Sequence, residues 1–468
     1  MLVKVNKGDV IWSYVGTFMG LFSNILVVPF IVYFLDTEML GLWYVFLSVG
    51  AIAHLFDFGF TITFARNITY CWSGARSLKK TGADFVSECE PDFKLMKCIL
   101  LTCKRIYFYI SLAVLVLMIT LGTIYIVRVC ANIPGSMHLV AYVIYVIGSV
   151  LNLYFSYYDS FLRGVGAVKD ANKNKVIARI VQIVSMITLL ACGLGILGLS
   201  ITFLIFGLVF RGLASRRFYQ YKNIGKSLSE VKGQISSNES KKLFQTIWHN
   251  AWREGLIQIS QFCNTQVSVI ICSLYFTLAE TGVYSLGVQI GGAVTTLAAV
   301  LYGTYQPSLQ SAYVKKDFEQ VSRYMSVIIV MFTISFLIGV VGTIFVGLPL
   351  LRFIKPESIV SIPILLGIFA NMYLIKFRDC YTSYFSCTNR IIYVWAFLIS
   401  SALSIVLSIL FVAVLEWGIW GLISAQMLSQ LSFNIWYWPI KCHRELKLGI
   451  GNVFSNAYVL IAKRFCKT

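Results

Sequence analysis

Charge is what this 468-residue chain has least of: Asp, Glu, Lys and Arg make up 13% of it, about half the share found in soluble domains. That scarcity excludes an ordinary water-facing surface. Acidic residues are the rarer sign, 20 against 39 Lys and Arg. No GxxxxGK[ST] loop is present, which excludes a built-in nucleotide motor of that type. The 8 prolines form no Pro/Ser-rich linker that would divide soluble domains. The 12 cysteines include no CxxC pair, and Cys89, Cys98 and Cys103 share a loop without a nearby His, so no metal or cofactor is expected. No loop expected outside exceeds about a dozen residues, and the cytoplasmic loops lack a DxD pair. An enzyme working on an external domain or by paired carboxylates is therefore disfavoured.

What the chain has instead is apolar length. Hydrophobic residues are 58% of it and mean hydropathy is +0.77. Twelve apolar stretches fall near 10–35, 41–63, 106–127, 138–162, 178–196, 197–215, 251–277, 282–309, 324–350, 362–387, 391–415 and 417–438. Each approaches or exceeds the roughly 20 residues needed to cross a bilayer core. Of the 39 Lys and Arg, 34 lie in alternate gaps or at the two ends. Because such loops stay cytoplasmic, both termini are expected inside a bacterial inner membrane. The net charge of +19 is then a topological signal facing anionic lipids, and no nucleic-acid partner is expected. The first span is long and lacks a small-residue cleavage site, so it is expected to stay in place.

Polar residues inside the spans are costly, and here they form stripes. Ser13, Thr17, Gly20 and Asn24 share one helical face of the first span. Gly50, His54, Asp57 and Thr61 repeat the spacing in the second, and Asn152, Ser156, Asp159 and Arg163 in the fourth. Span seven carries Glu254, Gln258, Gln261, Thr265, Ser268 and Cys272; span eight carries Gln289, Gly292, Thr296, Gly303 and Gln310. Span ten holds Lys376, Arg378 and Asp379. Spans three, six and nine are bare, and three and six are expected to face lipid. LGLWYVFLSVGA at 40–51 is echoed by TGVYSLGVQIGG at 281–292.

Six spans followed by six in the same orientation make a parallel repeat. The expected fold is an all-α membrane protein of about 12 transmembrane helices in two six-helix lobes around a central polar cavity. The lobes are 1–220 and 248–468, joined by a basic cytoplasmic linker at 221–247. Asn24, His54, Asp57, Gln258, Gln261 and Gln289 are candidates to line the cavity, and Asp57, Glu254 and Asp379 are available for ion coupling. Helix–helix packing is the competing account of the stripes. Asp159 with Arg163, and Lys376 with Asp379, are spaced for local ion pairs. Arg378 points nearly opposite Lys376, so the two cannot line one lumen equally.

Residues 55–82, LFDFGFTITFARNITYCWSGARSLKKTG, mix Arg66, Arg76, Lys79 and Lys80 with Tyr70, Trp72 and Leu78. That mixture predicts an interfacial helix with cations at phosphate level. With GLWYVFLSVG opening span two and SYYDSFLRGVG closing span four, the block resembles the Wzx-type polysaccharide flippases. These belong to the multidrug/oligosaccharidyl-lipid/polysaccharide exporter (MOP) superfamily. The likeness spans the chain as twelve spans in two lobes, with its specific residues mainly in the first half.

The resemblance implies a non-enzymatic transporter that moves undecaprenyl-diphosphate-linked oligosaccharide, an O-antigen or capsule repeat unit, to the periplasmic leaflet by alternating access. It implies a polysaccharide polymerase and a chain-length regulator as membrane partners. It also implies that cavity cations hold the anionic headgroup, which here means Arg66, Arg163, Arg253, Lys376 and Arg378. The alternative is a cation-coupled multidrug antiporter of the MATE type, which shares the two-lobe design. Charges inside the spans that lean basic argue against it. A membrane polymerase or ligase ranks third.

Overall fold

The computed structural model describes residues 5–35, 39, 42–43, 45–47, 49–50, 56–83, 90–130, 135–231, 237–276, 278–349, 360–449 and 451–457. Among them all regular structure is helical. Seven helices among the described residues are long and apolar enough to cross a membrane: Phe93–Arg128, Met137–Gly164, Val168–Ala191, Gly195–Glu230, Val283–Val314, Phe318–Gly347 and Val394–Val414. The chain is an all-α, multi-pass membrane protein. The striped spans seven and ten are not in this set, because Gln261, Asn264, Thr265 and Ser268 in one and Lys376, Arg378 and Asp379 in the other dilute their apolar character.

Two compact units divide the chain. The first consists mainly of Gly8–Leu78 and Glu88–Ala251, and the second mainly of Trp252–Thr468 together with Lys79–Ser87. In the first, α1 (Lys7–Phe34) and α2 (Phe60–Trp72) are followed by α3 (Phe93–Leu117), which passes through a π-helical turn into α4 (Thr123–Val129). Then come α5 (Met137–Tyr154), α6 (Tyr157–Gly164), α7 (Val168–Ala191), α8 (Gly195–Gln220) and α9 (Ile224–Glu230). Helix α10 (Ser237–Phe262) carries the chain into the second unit. There follow α11 (Ser268–Tyr275), α12 (Leu278–Ala298), α13 (Val300–Val314), α14 (Phe318–Gly342), α15 (Ile362–Cys387), α16 (Val394–Ile409), α17 (Gly418–Leu431) and α18 (Asn434–Leu446).

Polar caps mark the starts of two long apolar helices. Asp92 accepts from Leu95 N at 2.9 Å ahead of α3, and Asp317 from Gln320 N at 3.0 Å ahead of α14. Each such cap stabilises its helix by about 1 kcal/mol.

Several boundaries differ from the sequence expectation. The fourth span breaks at Phe155–Ser156 between α5 and α6, and the twelfth breaks between α17 and α18. The expected linker 221–247 contains α9 and the start of α10. Apolar length marks where lipid acts, whereas polar helical turns continue wherever they find protein partners.

The segment 55–82 corrects a larger expectation. It is not an interfacial helix: Phe60, Phe64, Arg66, Tyr70 and Trp72 are buried, while Arg76, Lys79 and Lys80 stay exposed. The reason is its partner. Helix α2 packs on α6 so closely that a Cβ at Gly164 would lie 2.7 Å from Ala65 O, and Thr69 Oγ1 donates to Gly164 O at 2.8 Å. Helices α2 and α6 therefore cover each other. Their residues answer to packing within the fold before they answer to any substrate.

Candidate functional site

The second span is interrupted where its acid lies. Phe58 and Gly59 adopt left-handed backbone, φ 46° and 76°, so the chain turns at 56–59 before α2 begins. Glycine takes this conformation without a Cβ clash, and a phenylalanine beside it does not. Across the break Asp57 Oδ2 accepts from Thr61 N at 3.2 Å, and Oδ1 accepts from Thr61 Oγ1 at 2.8 Å. Tyr107 OH on α3, fully buried, donates to Asp57 Oδ1 at 2.5 Å. A carboxylate thus sits in a turn just ahead of the N-terminus of α2, where its charge suits the helix dipole. Sequence reasoning identified Asp57 and missed Tyr107. The available signal was Asp-Phe-Gly, turn chemistry inside an apolar run.

His54 lies outside the described residues, as does the side chain of Asn24. The rest of the first-span stripe is at least partly packing. Asn172 Nδ2 on α7 donates to Ser13 Oγ at 3.0 Å, and a Cβ at Gly20 would lie 3.0 Å from Lys175 Nζ.

Cations in the first unit come from several helices. Arg163 pairs with Asp159 at 2.9 Å, one turn away on α6, whereas Arg66 is wholly buried in α2. Three further cations, not singled out from the sequence, sit on helices of this unit. Arg211 on α8 donates from Nε to Asn152 Oδ1 at 2.7 Å and lies 4.8 Å over the Phe210 ring. Arg179 on α7 lies 4.6 Å over Phe206, and Lys175 stands in the field of Arg163, Arg179 and Asp159. Their signal was the i,i+4 spacing of Lys175 and Arg179 at the foot of an apolar run.

In the second unit the charges of α15 close on one another. Arg378 is fully buried; its Nη2 lies 3.0 Å from Asp379 Oδ1, its Nη1 donates to Gln430 Oε1 at 2.8 Å, and it stacks 3.5 Å over Phe397. Gln430 Nε2 continues the network to Ser400 Oγ at 3.0 Å. Lys376, partly exposed, reaches Asp379 Oδ2 at 3.7 Å. Glu254 is buried and accepts from Ser386 Oγ at 3.2 Å. Arg253 is half-buried over Trp252, and Gln258 is half-buried. Gln261 on α10, Thr265 in the π-helical turn after it, and Gln289 and Thr296 on α12 are exposed.

No protein-family model matches the chain, and no curated protein matches it. Solved structures do. A MATE protein in the bent conformation superposes with a TM-score of 0.71 at 14% identity, covering 95% of each chain. The outward-facing conformation of a multidrug resistance MATE family transporter of the MOP superfamily gives a TM-score of 0.70 at 12% identity, over 95% of this chain and 100% of that one. The chain has a MATE-like fold. A MOP superfamily transporter from Pyrococcus furiosus gives 0.68 at 13% identity, over 95% and 100%; its binding pocket is described as of reversed polarity, suggesting a different function.

These likenesses overturn the expectation of a lipid-linked oligosaccharide flippase, and with it the expected substrate and its polymerase and chain-length partners. There is a physical reason for the error. Two of the motif stretches that carried the Wzx resemblance, now α2 and α6, pack on each other. Of the five cations offered to a diphosphate, Arg163, Lys376 and Arg378 are already engaged by carboxylates of their own helices.

Proposed function

We propose that this protein is a cation-coupled antiporter of small molecules that works by alternating access. The proposal includes twelve spans in two lobes, 1–220 and 248–468, with the cytoplasmic segment 221–247 between them and both termini inside a bacterial inner membrane. The alternation of Lys- and Arg-rich loops supports that topology, and the MATE-like fold supports the antiport mechanism.

Asp57 carries the reading. It is a single carboxylate at a helix break, held by donors from two different helices. Neutralising it with an incoming cation weakens charge-assisted bonds to Thr61 and Tyr107 together, and so biases the placement of α2 against α3. Asp379 is the poorer coupling group, since Lys376 and Arg378 already neutralise it. An inward cation gains about 2.3 kcal/mol per charge per 100 mV, enough to drive export without ATP. The exposed amides and hydroxyls of Gln261, Thr265, Gln289 and Thr296 offer hydrogen bonds to the exported molecule.

The test is counterflow in proteoliposomes with an imposed proton or sodium gradient and a panel of organic ions. Gradient-driven movement of at least one solute that disappears in Asp57→Asn is expected. Solute movement indifferent to every cation gradient, or unchanged in Asp57→Asn, would sink the reading.

A further inference from the structure

Within the second unit, α14, α15, α18 and the helical residues 451–457 border a groove of about 530 Å³, a size that holds an organic ligand. An aromatic ladder on α15 lines it. Tyr373 stacks on Phe377 at 5.4 Å, Phe377 meets Tyr381 edge-on at 5.2 Å, and Tyr381 lies 5.5 Å from the His443 ring of α18. Residues four apart share one helix face, so the ladder runs about 12 Å along α15. Ile334, Ile440 and Phe454 also line the groove and are exposed, which marks its open side. That side continues into a surface made for lipid. Ile334, Leu337, Ile338 and Val341 form one exposed apolar face of α14, a helix fit to cross a membrane.

Polar groups along the ladder already have protein partners. Thr333 Oγ1 donates to Ile329 O at 3.0 Å, so the Tyr373 hydroxyl, 3.1 Å away, donates to it. His443 Nδ1 lies 2.6 Å from Leu448 O, which can only accept, so this nitrogen carries a proton. Its Nε2 is 3.3 Å from the Tyr381 hydroxyl. An apolar groove whose polar groups are satisfied takes hydrocarbon in preference to ordered water. One end is different. Arg444 lines the groove there, is exposed, and has no ion-pair partner among the described residues. Lys441 and Lys447 stand near it on the chain, and the neighbouring acid, Glu445, is taken by Arg390. Trp436, Tyr437 and Trp438 precede these cations on α18. Such a mixture of aromatic and basic residues belongs at the membrane–water boundary. Arg444 is then at headgroup depth, and the ladder leads from it toward the middle of α15.

We propose that this groove binds one anionic phospholipid, with an acyl chain along Tyr373, Phe377 and Tyr381 and its phosphate on Arg444. The head selects the lipid. A tail gains little by leaving other tails for this lining, whereas a guanidinium holds phosphate oxygens bidentately. The site goes beyond the antiport reading and does not rest on it.

The experiment is native mass spectrometry of the purified full chain in detergent, titrated with dimyristoylphosphatidylglycerol and, separately, with dimyristoylphosphatidylcholine. One saturable phosphatidylglycerol adduct is expected, bound about fivefold more tightly than phosphatidylcholine, the ratio for one cation meeting one added negative charge. Arg444→Gln, at an exposed position, should remove that preference. Ile334→Trp fills the open side of the groove and should weaken both lipids about tenfold. Ile338→Trp, on the same face of α14 but outside the groove, should change neither. Melting without added lipid identifies the variants that fold, and Ile440→Trp serves if Ile334→Trp does not. No saturable adduct, or an unchanged preference in Arg444→Gln, overturns the proposal. Equal effects of Ile334→Trp and Ile338→Trp would make the bound lipid merely annular and overturn it too. Tighter binding of laurate would make the occupant a free fatty acid, and a dimer in place of the lipid adduct would make this face an interface between copies; either result overturns the assignment.

Discussion

Ionisable groups in the first unit come from separate helices: Asp57 ahead of α2, Asp159 and Arg163 on α6, Lys175 and Arg179 on α7, and Arg211 on α8. In the second unit Lys376, Arg378 and Asp379 come from one turn of α15 and satisfy each other there. A trio on one helix keeps its partners however that helix moves. Groups spread over several helices keep theirs only in particular placements of those helices. On the function proposed above, the first unit senses charge and the α15 trio serves as a fixed framework.

Four substitutions would break or sharpen that contrast. The largest effect is expected from Arg378→Ala, which leaves Asp379 buried with a 3.7 Å contact to Lys376 as its remaining ion pair. Removing one member of a buried pair costs about 3–5 kcal/mol, seen as a large fall in melting temperature in detergent. A variant that melts like the parent would show that the α15 trio is not the framework described. Asp57→Asn should behave oppositely, cutting cation-driven counterflow by about tenfold or more while the protein stays folded. Equal damage to stability and transport would erase the distinction between the units.

Gly59→Ala places a Cβ at φ 76° and should cost about 1–2 kcal/mol, read in the same melting assay. Tyr107→Phe removes the 2.5 Å bond to Asp57 and should cost about 1 kcal/mol. Its diagnostic readout is the pH profile of counterflow, which shifts if Tyr107 acts through Asp57 and stays put if the ring only packs.

Much of the membrane architecture was legible in the sequence. Apolar length and bare faces marked the third, sixth and ninth spans, and all three fall among the helices fit to cross a bilayer. The pairing of Asp159 with Arg163 and of Lys376 with Asp379 followed from spacing alone. Tyr107 and Arg211 were not singled out. A tyrosine in an apolar helix and an arginine next to a loop look the same whether or not a partner waits across the packing interface. The substrate was misjudged for a related cause, because the most distinctive residues are those packed between α2 and α6.

By itself the sequence determined that this is a helical, many-span membrane protein, because lipid acts on each segment according to its own length and polarity. Tertiary structure decided which polar groups neutralise one another and which face a cavity. Those outcomes depend on gaps of about 3 Å between residues far apart in the chain, Asp57 with Tyr107, Asn152 with Arg211, Arg378 with Gln430, and hydrogen bonds weaken steeply beyond that range.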